Sequence, residues 1–373
     1  MKNPFLSFWC GAIALVALGT PSPGAQPSAA RHTTLTIAGD AFLLNGEPTF
    51  KGRTWRGHRV EGLLPNSRMV QGIFDDLNPD TRGQWAYPDT KSWDPDRNTR
   101  EFIAAMPAWR ECGLLGFTLN LQGGSPLGYG NKGWINPAFH GDGTLRPDYF
   151  SRLERILDRA DELGMVPILG LFYFGQDEQL RDDAAVWRAT DLTLAWLFAR
   201  GYRNVIIEVC NETNERGYGH ASLQPAGVPA LLRHIRATER DGWRYPAGVS
   251  LGGAALPTPE IVAASDVILI HGNNRRGVET TPATIRAMIA GVRALSGFRP
   301  MPIVINEDDH YAFDQSDHNY LAATESRASW GFFDFRREGE AFAEGFQSVP
   351  VDWTISSPRK RAFFDLTKEI FGH

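Results

Sequence analysis

The chain predicts an α/β fold, a single (β/α)8 TIM barrel, on three observations. Eight short runs rich in β-branched and aromatic residues alternate with segments of helical period along 373 residues. Two of these runs, Asn204-Val205-Ile206-Ile207-Glu208-Val209-Cys210-Asn211-Glu212 and Met301-Pro302-Ile303-Val304-Ile305-Asn306-Glu307, are almost continuously hydrophobic, as parallel strands covered on both faces are, and each stops on Asn-Glu. A hydrophobic content of 42% supplies one large core, and barrels of this class often run this long as a single domain.

The elements follow in order. Met1 to about Ala30 reads as a signal peptide: Lys2 is the positive end, Phe5 to Leu18 is an apolar core too short to span a bilayer, and Ser28-Ala29-Ala30 offers small residues for cleavage. The expected mature domain is 31–373, secreted or periplasmic, with no stable membrane association. Cys10 lies inside the apolar run and does not mark a lipoprotein site. Leu35-Thr36-Ile37 and Phe42-Leu43-Leu44-Asn45-Gly46 predict a hairpin that closes the barrel floor. The strands are then expected at Thr49–Trp55, Leu114–Leu121, Val166–Tyr173, Asn204–Asn211, Gly248–Leu251, Val267–His271, Ile303–Asn306 and Ser329–Phe335.

Helices are expected between them. Arg100–Glu111 carries Phe102, Ile103, Met106 and Trp109 on one face, and Asp148–Leu163 begins beside Pro147 and stops at Gly164. Asp183–Arg200 stops at Gly201, and Thr281-Pro282 and Ser357-Pro358 each pair a cap with a proline at the first helical position. Val228–Thr238, Thr258–Ala264 and His318–Arg327 complete the set. Two connections are enlarged. Arg56 to Asn98, after the first strand, holds Phe74, Trp85, Tyr87 and Trp93 and is expected to fold over the active face; Gln122 to Arg146 follows the second strand.

Composition narrows the function. A net charge of -5 with mixed signs gives no basic field, so nucleic acid is not an expected partner. Eleven Trp and 22 Phe exceed what packing needs, and such rings commonly line sugar sites. Cys112 and Cys210 fall at opposite ends of the barrel, beyond the roughly 7 Å that a disulfide spans, and are expected as free thiols. No GxGxxG follows a strand, and neither a P-loop nor a GxSxG elbow occurs, so no cofactor is expected. No His-x-His follows the first strand; Asp308-Asp309-His310 has the residue types to bind a cation, but no metal is expected.

The Asn-Glu dipeptide alone says little. It occurs three times, at Asn211-Glu212, Asn214-Glu215 and Asn306-Glu307, against about one expected by chance. Position gives it meaning, because the first copy ends the fourth strand and the third ends the seventh, and barrel active sites lie at strand C-termini. Paired carboxylates there are what cleavage of a glycosidic bond requires. The alternative for each, a structural ion pair, stays open at this point, as Asp308 and Asp309 stay open as substitutes for Glu307. Glu208 is expected deeper in the barrel, paired with Arg53, and Glu215 on a solvated loop. Trp55, Arg56, Asn120, Gln122, Tyr173 and His310 lie at other expected strand ends and could line a sugar pocket. His271 ends the sixth strand, either as a structural histidine or facing the reacting groups.

Ile207-Glu208-Val209-Cys210-Asn211-Glu212 resembles the strand-four motif of clan A glycoside hydrolases, especially the cellulase-like family five, and Pro302-Ile303-Val304-Ile305-Asn306-Glu307 resembles their strand-seven motif. The resemblance implies a retaining hydrolase of O-glycosidic bonds, with Glu212 as acid/base, Glu307 as nucleophile, Asn211 on the sugar 2-OH, His271 near the nucleophile and a carbohydrate substrate. A short or terminal glycan is the expected substrate, with a non-catalytic carbohydrate-binding barrel or an inverting enzyme as alternatives. The chain departs from family five where that family has Arg on strand two, His on strand three and Tyr after the strand-six His. Here Phe117-Thr118-Leu119-Asn120, Leu171-Phe172-Tyr173 and Asn273-Asn274 stand instead, and a distinct family within the clan is expected.

Overall fold

In the computed structural model, residues 1, 31–129, 133–274 and 279–372 are described. Residues 2–30 of the expected signal peptide, Cys10 among them, lie outside these. β1 (Leu35–Ala38), β2 (Ala41–Leu44) and β3 (Glu47–Pro48) form a small antiparallel sheet. β4 (Thr54–Trp55) and β5 (His58–Arg59) pair as a second hairpin. The barrel strands are β6 (Asn66–Arg68), β7 (Gly116–Asn120), β8 (Val166–Phe172), β9 (Ile206–Cys210), β10 (Ala247–Gly248), β11 (Ile268–His271), β12 (Ile303–Asp308) and β13 (Ser329–Phe332). Their order is β10-β9-β8-β7-β6-β13-β12-β11, every adjacent pair parallel. The seam between β10 and β11 is crossed by backbone bonds, from Asp266 N to Ala247 O (2.8 Å) and from His271 N to Leu251 O (3.0 Å). This is the expected (β/α)8 barrel.

One strand is not where the sequence placed it. Thr49–Trp55 is not the first barrel strand; its end is β4, outside the barrel, and the first barrel strand is β6. Pro65 and the polar run Asn66-Ser67-Arg68 hide a strand of three residues, since proline and polar side chains both argue against a central strand. The enlarged loop therefore begins at Met69. It folds in order, with the Asp76 carboxylate accepting from Trp85 Nε1 and Thr81 Oγ1, both at 2.6 Å. Phe74, Trp85, Trp134 and Val349, with Trp93 against them, form their own hydrophobic cluster there.

The helices follow their punctuation. Pro147–Leu163 and Asp183–Arg200 each end on a left-handed glycine, Gly164 and Gly201, which frees the last carbonyls to bond back. Thr258, Thr281 and Ser357 each accept a backbone N–H as caps in front of a proline. The helix expected at Arg100–Glu111 is longer, Pro95–Glu111, and is capped by Asp94.

The floor is apolar. Leu35 and Phe42 of the first hairpin pack against Leu64, Leu115, Val166, Ile168, Ile206, Val267, Leu269 and Val304, the lower ends of the barrel strands. Phe42 is fully buried. Replacing Phe42 by Ala should destabilise the protein by about 3–5 kcal/mol, read from urea unfolding. A loss below about 1 kcal/mol would mean the hairpin lies loosely on the barrel instead of completing its core. Cys112 and Cys210 are free.

Candidate active site

Strand parity decides what reaches the barrel mouth. Along β6, Leu64 belongs to the floor, Asn66 is inside above it, and Arg68 comes next on the same face. Along β11, Leu269 and His271 repeat the pattern. β12 breaks it. Val304 packs on the floor and Asn306 bonds Glu208 inside the barrel, so strict alternation would turn Glu307 outward and Asp308 inward. The register against β11 jumps from Ile270↔Ile305 to His271↔Glu307, a bulge that inserts one residue and re-aims the next. Glu307 thereby enters the mouth. Asp308 faces the outer layer, where its carboxylate accepts from Trp330 Nε1 (2.8 Å), Asn319 Nδ2 (3.0 Å) and His310.

Three groups converge on Glu307. Arg68 Nε stands 2.6 Å from Glu307 Oε2, and Asn273 Nδ2 donates to Oε1 at 2.5 Å. His271 Nδ1 lies 2.8 Å from Glu212 Oε1 and 3.5 Å from Glu307 Oε2, between the two carboxylates. Arg68 Nη2 also donates to Asn211 Oδ1 at 3.0 Å. One oxygen of Glu212, one ring nitrogen of His271 and one oxygen of Glu307 all lie within 4.8 Å of one another.

Glu212 is held by its backbone. It has φ 50°, left-handed for a residue with a long side chain, and such strain persists only where surroundings fix it. They do: Glu212 N donates to Ser250 Oγ (2.9 Å), Thr213 N to Ser250 O (3.1 Å) and Thr213 Oγ1 to Leu223 O (2.7 Å). Asn214 Oδ1 accepts from Gly252 N at 2.9 Å, joining the loops after β9 and β10. Gly252 leaves the space that the Glu212 carboxyl occupies. A Cβ there would sit 2.2 Å from Glu212 Oε1.

Burial raises the Glu307 pKa above the usual glutamate range, opposed by the Arg68 and His271 charges and reinforced by Glu212. Burial lowers the His271 pKa despite Glu307, so His271 is neutral near pH 7. Burial also opposes the Arg68 charge, but Glu307 and then Glu208 more than offset it. Desolvation raises the Tyr173 hydroxyl, which therefore stays protonated.

The expected pocket residues separate into two groups. Asn211, Glu212, Glu307 and Tyr173 line one cavity with Arg68, Ser125, Tyr129, Phe333 and Gln347, and His271 sits directly beneath it. The others lie elsewhere. Trp55 and Arg56 do not end a barrel strand; Trp55 Nε1 donates to Glu369 Oε1 at 2.9 Å, and Arg56 is exposed beside Glu369. Gln122 ties loops together, accepting from Tyr173 N and donating to Gln176 O. Asn120 is buried inside the barrel below the cavity, and His310 bonds Asp308 and Asn274 instead of lining it. Arg53 does not meet Glu208; it donates to the carbonyls of Ile370 and Glu369. Sequence reasoning missed Arg68 and Asn273. The Leu64-x-Asn66-x-Arg68 parity is the available signal for the first, and for Asn273 it is the departure from family five after the strand-six His.

Among the described residues, Asp308, Asp309 and His310 also group within 4.8 Å, with the Asp308 oxygens already engaged as above. No described helix is long and apolar enough to cross a membrane.

No family model matches this sequence, and no curated protein does. Solved structures share its fold. An endo-1,4-beta-mannanase from Eisenia fetida superposes with TM-score 0.54 at 13% identity, covering 91% of this chain and 98% of that one. A glycoside hydrolase family 5 mannosidase from Rhizomucor miehei gives 0.52 at 12%, covering 92% and 98%. A GH5-4 broad specificity endoglucanase from Bacteroides salanitronis gives 0.51 at 12%, covering 83% and 93%. The chain spans 60% of the length of a further similar structure, from Bacteroides vulgatus ATCC 8482. The shared barrel at this low identity fits a family distinct from theirs.

Proposed function

We propose that the chain is an exported retaining glycoside hydrolase acting on a short or terminal glycan. One observation carries the reading: carboxylate oxygens of Glu212 and Glu307 lie within 4.8 Å across His271, at the mouth of a barrel. Retaining enzymes keep their two carboxyl groups about 5–5.5 Å apart, whereas inverting ones need about 6.5–9.5 Å to admit a water. The neighbours' fold supports the same class.

In this reading Glu307 is the nucleophile. Its carboxylate forms a bond to the anomeric carbon as the bond to the leaving oxygen breaks, and that oxygen takes the proton of Glu212. Water then attacks the glycosyl-enzyme, Glu212 accepts its proton, and Glu307 is released as carboxylate. Arg68 and Asn273 fix the direction of the Glu307 oxygens, and neutral His271 holds Glu212 toward the bond being cleaved. Asn211, oriented by Arg68, meets the 2-OH.

The cavity supports a short substrate. It is small, about 90 Å³, and one of its walls is Tyr129, whose hydroxyl donates to Asp309 Oδ2 at 2.7 Å. The test is a panel of activated aryl glycosides with NMR analysis of the first-formed anomer. The expected product keeps the substrate's anomeric configuration. An inverted product would replace the mechanism, and binding of sugars without turnover would favour a carbohydrate-binding barrel.

A further inference from the structure

A second layer of polar side chains lies directly under the site. Barrel interiors of this fold are ordinarily filled by branched apolar residues. Here Asn66, Thr118, Asn120, Glu208 and Asn306, drawn from four strands, lie inside the barrel above the floor, each at most 1% exposed. Two glycines make room for them. A Cβ on Gly170 would lie 2.1 Å from Asn120 Oδ1, and one on Gly331 would lie 2.3 Å from Asn66 Oδ1. Glu208 Oε1 accepts from Asn306 Nδ2 at 3.4 Å, while Glu208 Oε2 and Arg68 Nη1 are both buried without a hydrogen-bond partner in the protein. A buried carboxylate and a buried guanidinium with unspent hydrogen-bonding capacity in adjoining layers are of the kind that internal water joins.

We infer that Glu208 is a positioning residue, the standing counter-charge of Arg68 that remains when Glu307 is esterified. The inference rests on the retaining reading above. Before reaction, the buried Arg68 cation faces Glu307 at 2.6 Å. When a Glu307 oxygen bonds the anomeric carbon, that carboxylate becomes a neutral ester and Arg68 loses its nearest anion. An unpaired buried cation is costly, so the intermediate forms readily only if a second anion stays in reach. Glu208 is that anion. Its field reaches Arg68 on β6, His271 on β11 and Cys210 on its own strand. From β8, Gly170 leaves it room, a Cβ there lying 3.5 Å from Glu208 Oε2, and from β12 Asn306 donates to it.

The test compares Glu208→Gln and Glu208→Asp with the parent on an aryl glycoside. Glu208→Gln is expected to lower kcat about 100-fold or more with KM nearly unchanged, and Glu208→Asp to recover part of the loss. The acid limb of kcat/KM should move to lower pH in Glu208→Gln, because removing a neighbouring negative charge favours the Glu307 anion. Full activity in Glu208→Gln, or an acid limb unmoved or moved upward, would overturn the inference. A double-mutant cycle of unfolding stability with Arg68→Met is independent of turnover and therefore separates this inference from the glycosidase reading. The coupling should amount to about tenfold or more in the unfolding equilibrium, and additivity would overturn the pairing. Should Glu208→Gln alone fail to fold, a double variant that folds supports the pairing, and one that fails equally overturns it.

Discussion

Glu307→Gln should lose about 10⁴-fold or more of kcat on an activated aryl glycoside while the protein stays folded. The amide has nearly the shape of the carboxyl, so packing in the mouth is kept, but it lacks the anionic oxygen that must bond the anomeric carbon. Arg68 is not left without an anion, since the Glu208 charge also favours its cation. Unfolding by urea should therefore shift far less than the 3–5 kcal/mol typical when a buried ion pair loses one partner and nothing replaces it. Glu212→Gln should behave differently. An aryl leaving group with a low pKa needs little protonation, so its loss should be smallest there and grow as the leaving group becomes more basic. The acid limb of the parent profile should fall above the ordinary glutamate range, since burial raises the Glu307 pKa and its carboxylate is the reactive form. Turnover of the aryl glycoside by Glu307→Gln within tenfold of the parent would remove Glu307 from the nucleophile role.

Gly252→Ala should cost about 100-fold in kcat with little change in stability. The added methyl would stand 2.2 Å from Glu212 Oε1 and 2.5 Å from Cδ, distances no pair of atoms tolerates. The three nearest atoms to that position all belong to the Glu212 side chain, and Gly252 is not among the left-handed glycines. The backbone can therefore accept alanine, and the displacement falls on the carboxyl. A shift near 1 Å at a reacting group is enough for a loss of this size. Steady-state kinetics beside urea unfolding separates the two effects. Activity within a few-fold of the parent would mean that Glu212 does not need its present position.

The architecture was legible because each device announces itself locally. Val166–Phe172 is long and apolar, and the helices between strands are bracketed by capping residues, prolines and glycines. β6 was not, because its residues are chosen for what they do inside the barrel: Asn66 fills the polar layer and Arg68 the mouth, so the strand reads as a loop. That one displacement carried Trp55 and Arg56 into the expected site and left Arg68 out. The choice between Glu307 and Asp308 was equally hidden. Alternation from Val304 favours Asp308, and only the bulge at Asn306, a tertiary property of the β11–β12 register, reverses it. Asn273 was visible as a departure from the family the motifs resemble, but its contact with Glu307 depends on the turn after β11.

The hairpin under the barrel also bears on the order of assembly. Leu35 and Phe42 meet side chains drawn from Leu64 through Val304, so the segment nearest the start of the domain cannot be seated until most of the sequence has been placed. Contacts of such separation are formed late and slowly, because the connecting loops must close first. Until then the hairpin presents Leu35 and Phe42 to solvent, and the half-built barrel presents the open ends of its strands. The same plug that gives the finished domain a dry base thus makes its kinetics the slow, long-range kind, and a holdase that shields apolar surface should help it most during that interval.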